Sequence, residues 1–203
     1  MVKRLKLGVL ASGGGSNLQS IIDCSDNGSL SADVVLVISN NSSAGALERA
    51  RRHGIDALHI SAVTEGSAEA ADTRIVDEMR ARSVDLVILA GYMKKTGSSL
   101  LGTYAGRILN IHPALLPKFG GKGMYGMMVH EAVVAAGETE SGPTVHLVDD
   151  KYDHGTVLGR KIVPVLPGDT PETLQRRVLE QEHALFPEII QTIAEGREPR
   201  VLV

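Results

Sequence analysis

Asn110 and His112 stand two apart in Ile108-Leu109-Asn110-Ile111-His112-Pro113. Residues two apart on a strand share a face. An amide and an imidazole therefore project together, while Leu109 and Ile111 point the other way. Pro113 has no amide hydrogen and should end the ladder at that point. Both side chains can donate to an oxygen that turns anionic when an amine attacks a carbonyl, which is what acyl transfer needs. The competing reading is a structural histidine satisfied within the protein.

A second cluster is the turn Ala11-Ser12-Gly13-Gly14-Gly15-Ser16-Asn17-Leu18. A glycine loop between a strand and a helix aims backbone N–H groups and the positive end of the helix dipole at an anion. Glycine also lets a phosphate approach without meeting a Cβ. The pattern is neither the G-x-G-x-x-G dinucleotide fingerprint nor a Walker loop, which needs a following Lys-Ser/Thr pair. A monophosphate site at the carboxyl edge of the first strand fits best. The plainer alternative is a tight turn with Ser16 or Asn17 as helix N-cap.

A third group is acidic: Asp149, Asp150 and Asp153 in Asp149-Asp150-Lys151-Tyr152-Asp153-His154-Gly155, with His146 just upstream. A carboxylate beside His112 would favour the imidazolium, raise its pKa and orient the ring. These aspartates also suit a solvated turn. No i, i+4 pair on a helix offers metal ligands, and no metal is expected.

The elements that must position these groups alternate. Apolar runs at Leu5–Ala11, Val34–Ser39, Ala57–Ile60, Leu86–Ala90 and Arg107–His112 read as strands. Helical patterns fall at Asn17–Cys24, Ala44–His53 and Glu69–Arg82. Repeated β–α–β units predict an α/β fold: an open, mostly parallel, doubly wound (Rossmann-like) sheet with helices on both faces. The later part departs from that rhythm. A short helix is expected over Val129–Ala136, strands over Thr144–Asp149 and Val157–Val165, and a long helix over Pro171–Ile193 with Thr170 as N-cap. The C-terminal part should therefore be antiparallel. With 203 residues and no linker, residues 1–203 are expected to form one domain.

Composition narrows the function. A net charge of −3 provides no basic field for nucleic acid, and 3% aromatic residues without tryptophan provide no stacking platform. The single Cys24 excludes an internal disulfide. The apolar stretch near the N-terminus is too short for a signal peptide or membrane span, so a cytoplasmic protein is expected.

Asn110-Ile111-His112-Pro113-Ala114-Leu115-Leu116-Pro117-Lys118 resembles the signature of the formyltetrahydrofolate-dependent formyltransferases. So do Ser12-Gly13-Gly14-Gly15-Ser16-Asn17-Leu18, Leu89-Ala90-Gly91-Tyr92-Met93, Val145-His146-Leu147-Val148-Asp149-Asp150 and Glu180-Gln181-Glu182-His183. The resemblance runs from about residue 5 to about residue 195. It implies transfer of the formyl group of 10-formyltetrahydrofolate, as co-substrate, to the primary amine of glycinamide ribonucleotide in purine biosynthesis. It implies Asn110, His112 and Asp153 as catalytic residues. Gly15, Ser16 and Asn17 would take the phosphate of the ribonucleotide, and Glu182 its ribose. Met93, Lys94, Lys95 and Thr96, with Asn110, Asp149 and Asp150, would contact the reduced folate. On residue patterns alone, Glu182 is an ordinary exposed helical carboxylate, Met93 a core residue, and the two lysines a solvated surface.

The chain also departs from that family. At Ala68 its members often carry an arginine that helps hold the ligands; Lys94 or Lys95 could compensate. The Gly121–Met128 loop looks longer than in some relatives, and Leu116-Pro117 falls where the family tends to have a cis peptide. The expected partners are small molecules, not membranes or nucleic acid, with the chain a monomer or homodimer. The alternatives are a formyltetrahydrofolate hydrolase, another formyltransferase of this fold, or a non-catalytic nucleotide-binding module.

Overall fold

Strands form where the apolar runs are longest. A computed structural model describes residues 4–197. Leu5–Leu10 (β1), Ala32–Ser39 (β2), Asp56–His59 (β3), Leu86–Leu89 (β4) and Ile108–His112 (β5) match the expected strands to within two residues at either end. The chain divides between Asn110 and Ile111 into two compact units, and β5 runs through the division.

In the first unit β1 pairs in parallel with β2 and β4, β2 with β3, and β4 with β5. Parallel neighbours need crossovers, and helices supply them. Ser16–Asp26 (α1) follows β1, Gly45–Arg52 (α2) follows β2, and Ala62–Glu65 (α3) with Ala68–Ala81 (α4) follow β3. The core is aliphatic: Leu7, Val9, Leu36, Val37, Ile38, Val87 and Ile88 are all buried. A Cβ on Gly8 of β1 would lie 2.0 Å from the Met79 sulfur of α4, so that glycine lets helix and strand close together.

Ser98–Thr103 (α5) is not foreseen from sequence. Its N-cap, Gly97, offers no side chain. The cap comes instead from α4, where one oxygen of Asp72 accepts the amides of Ser99 at 2.8 Å and Leu100 at 3.2 Å. A short segment capped from elsewhere in the chain carries no local helix signal.

The second unit begins with the end of β5. Met127–Ala135 (α6), Glu140–Ser141 (β6), Thr144–Leu147 (β7), Val157–Arg160 (β8), Val163–Pro164 (β9) and Pro171–Ala194 (α7) follow. The hydrogen-bonded order runs β5-β7-β8, which completes a seven-stranded sheet, and β6 pairs with β9 separately. β7–β8 and β6–β9 are antiparallel. The α/β class, the mostly parallel sheet and the antiparallel C-terminal part are as expected.

The single strand expected over Val157–Val165 is two strands. Its partner is interrupted: Arg160 pairs with Thr144 and Val163 with Ser141, and Gly142-Pro143 lies between those partners. Proline cannot donate to a ladder, so the pairing changes hands there. α7 opens on a capping box between Thr170 and Thr173, with Pro171 at its first turn. Its buried positions Leu174, Val178, Leu185, Phe186 and Ile189 follow helical periodicity. The peptide bond Leu116–Pro117 is cis.

Candidate active site

β5 and the two loops that follow in the second unit build a charged cluster inside apolar surroundings. Strand alternation puts the Asn110 and His112 side chains on one side of β5. His112 is only 3% exposed. Beyond Pro113, Thr144 of β7 fixes the chain by donating from Oγ to the Ala114 carbonyl at 2.7 Å and accepting the Leu116 amide at 3.1 Å.

That loop carries Phe119, whose carbonyl oxygen lies 2.8 Å from His112 Nε2. On the other side of the ring, Nδ1 is 3.6 Å from Asp153 Oδ2. Both nitrogens thus face acceptors, an arrangement that only the doubly protonated ring fully satisfies. Burial works against that charge. It pushes the His112 pKa below the ordinary imidazole value, outweighing the Asp153 carboxylate and the Phe119 carbonyl, while His146 adds to the lowering. The expected net rise is therefore reversed, because desolvation of the charged ring exceeds what one carboxylate at this distance returns.

Asp153 holds its own charge. Burial pushes its pKa up, but hydrogen bonding to His146, the nearby His112 and the Gly121 amide together leave it below the usual carboxylate value. Its Oδ2 accepts the Gly121 amide at 2.9 Å, and its Oδ1 is 3.5 Å from Nε2 of the buried His146. Asp153 adopts φ 53°, in the left-handed region that few residues with a Cβ occupy. Two glycines permit this turn. A Cβ on Gly120 would lie 2.5 Å from a Leu116 methyl and 3.2 Å from the Asp153 Cβ, and one on Gly155 would lie 1.9 Å from the Leu147 carbonyl oxygen.

Sequence reasoning misses His130 on α6. It is 2% exposed, its Nδ1 has no hydrogen-bond partner, and burial with His112 nearby pushes its pKa down to about 4. A lone histidine on the apolar stripe of Val129 and Val133 is its only trace in the sequence.

Asp149 and Asp150 remain on an open turn, where Asp149 Oδ1 accepts the Lys151 amide at 2.8 Å. His154 is exposed and lies 3.9 Å from Asp149. Glu182 is no exposed helical carboxylate: it is 7% exposed and shares the buried face of α7 with Val178 and Leu185. Among the described residues no group of three or more His, Cys, Asp or Glu is placed to hold a metal ion.

The glycine turn belongs to the first unit. Gly15, at φ 76°, is the N-cap of α1, so Ser16 and Asn17 are its first helical residues rather than its cap. The turn's carbonyls are taken by α2: Gly13 accepts the Ala46 amide at 3.1 Å and Gly14 the Arg49 Nε at 2.8 Å. The first amides of α1 have no acceptor within their own helix, and they form the positive pole of its dipole. In the same unit, Met93 is 56% exposed, not core, and its amide donates to Ser12 Oγ at 2.8 Å. Lys94 and Lys95 are exposed and Thr96 is buried.

The formyl transferase family matches residues 5–190. The chain is 45% identical over 196 residues to a chloroplastic phosphoribosylglycinamide formyltransferase of Vigna unguiculata, covering 97% of this chain but 63% of that relative's length. It is 41% identical over 189 residues to the phosphoribosylglycinamide formyltransferase of Escherichia coli K12, covering 93% of this chain and 87% of that one. The solved glycinamide ribonucleotide transformylase 1 of Symbiobacterium toebii superposes with a TM-score of 0.91 at 41% identity, covering 100% of this chain and 96% of that one. No helix among the described residues is long and apolar enough to cross a membrane. With a family match spanning nearly the whole chain and relatives at this identity, the chain belongs to the formyl transferase family.

Proposed function

We propose that this protein transfers the formyl group of 10-formyltetrahydrofolate to the amine of glycinamide ribonucleotide, working as one catalytic domain in the cytoplasm. The observation that carries the reading is the buried His112 ring held between the Asp153 carboxylate and a carbonyl oxygen. A ring so placed can present Nε2–H to an oxygen and return its charge to Asp153.

The chemistry follows from that pair. The amine nitrogen attacks the formyl carbon directly, and the carbonyl electron pair moves onto oxygen. Asn110 and protonated His112 donate to the resulting oxyanion. When it collapses, the bond to the folate nitrogen breaks, and the proton lost by the attacking nitrogen passes to that nitrogen, with His112 as carrier. Nε2–H, which lies 2.8 Å from the Phe119 carbonyl oxygen, must exchange that acceptor for the oxyanion. The growing negative charge then offsets the desolvation that lowers the pKa of His112.

Gly15, Ser16 and Asn17 are proposed to take the ribonucleotide phosphate on the amides that open α1. Glu182, on the buried face of α7, is proposed to accept from the ribose hydroxyls, as the family resemblance implies. The backbone of Met93, Lys94, Lys95 and Thr96 is proposed to line the pterin site, with Asp149 and Asp150 on the loop side.

An absorbance assay of folate deformylation, run with glycinamide ribonucleotide, with tRNA and with water alone, tests the reading. Turnover should require the ribonucleotide. Equal turnover in water would make the protein a hydrolase, and ribonucleotide binding without turnover would make it a binding module.

A further inference from the structure

Ser12 lies in the glycine turn, yet its side chain faces away from the phosphate role given to that turn. Its hydroxyl donates to Asn40 Oδ1 at 2.5 Å and accepts the Met93 amide at 2.8 Å. Its backbone amide donates to the Gly91 carbonyl at 3.0 Å, and its carbonyl accepts Asn41 Nδ2 at 3.4 Å. One residue thus joins the loops that leave the carboxyl ends of β1, β2 and β4.

On the far side of those bonds lies the segment that begins at Met93. Met93 is mostly exposed, and Lys94 and Lys95 are exposed. Beyond it, Asp72, 6% exposed, caps α5 through the Ser99 and Leu100 amides. Gly97 permits that cap, since a Cβ there would lie 2.2 Å from the Asp72 carboxyl carbon. The stretch from Met93 to Ser99 is therefore held by a hydroxyl at its start and a buried carboxylate at its finish.

We infer that Ser12 is a positioning residue for the folate segment and not a phosphate ligand. Its hydroxyl proton goes to Asn40 and one of its lone pairs to Met93, and the bond to Met93 fixes the backbone that is to meet the pterin. Asn40 aims the hydroxyl by accepting its proton, which leaves an oxygen lone pair directed at the Met93 amide. This inference rests on the reading that residues 93–96 line the folate site.

Steady-state formyl transfer in wild type, Ser12→Ala and Asn40→Ala tests it, with thermal unfolding measured alongside. Losing one such hydrogen bond should raise KM for 10-formyltetrahydrofolate by about three- to tenfold in Ser12→Ala, with KM for the ribonucleotide and kcat each within about twofold. Asn40→Ala should move the same constant in the same direction by less, and it decides the matter if Ser12→Ala does not fold. An unchanged folate KM, or a ribonucleotide KM that rises as much, overturns the inference. A wild type that transfers no formyl group sinks the functional reading instead, so the two failures are distinct.

Discussion

Asp153 Oδ2 faces His112 Nδ1 at 3.6 Å, while its Oδ1 faces His146 Nε2 at 3.5 Å. One carboxylate thus serves two buried imidazoles. Each ring also has a backbone carbonyl at its other nitrogen, Phe119 for His112 and Leu147 for His146. Asp153 is the negative centre on which the cluster depends, and its ionisation is secured by the groups around it.

Removing one oxyanion donor should slow turnover without unfolding the protein. Asn110→Ala and His112→Ala are each expected to lower kcat by about 10²–10³-fold. Circular dichroism and thermal unfolding near wild type should accompany the loss. A variant with near-normal kcat would remove its residue from the mechanism.

The buried histidines make stability depend on acid. His130 drops from 6.5 to about 4 on folding, and His112 also moves down. The unfolded chain therefore binds protons that the native state refuses, and stability rises with pH across that window. It is fully present above the unfolded value and lost as pH falls from about 6.5 towards 4. For His130 the loss is on the order of 3 kcal/mol. Urea unfolding at pH 7.5 and 4.5 should show a smaller difference in His130→Leu than in wild type; equal differences would contradict the assignment.

Glycines in the turn should divide into two kinds. A Cβ on Gly15 would lie 2.8 Å from the Ala46 Cα, and φ is 76°, whereas one on Gly13 meets nothing within 4 Å. Gly15→Ala is expected to lose about 1–3 kcal/mol of stability and Gly13→Ala almost none. Thermal unfolding of the two variants checks this.

Glu182→Gln tests the proposed ribose contact. A hydrogen bond to a charged acceptor is worth enough to raise the ribonucleotide KM about tenfold, with the folate KM little changed. A change confined to the folate KM would reassign the residue.

The sequence carries the parallel strands clearly, because strands covered on both faces read as unbroken apolar runs such as Val34–Ser39 and Leu86–Leu89. Strand alternation puts Asn110 and His112 on one face, whereas Asp153 is tied to His112 only through the family resemblance, and the structure brings it to 3.6 Å from that ring. What the sequence hides is tertiary. The cap on α5 comes from Asp72 in another helix, and the break between β8 and β9 comes from Gly142-Pro143 in the partner strands. The direction of the His112 shift depends on burial, which no spacing reveals. Glu182 hides differently: its place in the buried stripe of α7 follows from helical periodicity, but its charge argues for the surface.

Asp153→Asn is the most direct test, since it removes the charge that balances the His112 ring and leaves the side-chain shape. Formyl transfer to glycinamide ribonucleotide, followed by folate absorbance, should fall at least about 10²-fold at neutral pH while the protein stays folded. Turnover within a few-fold of wild type would contradict the account, because it would mean that His112 works without its carboxylate.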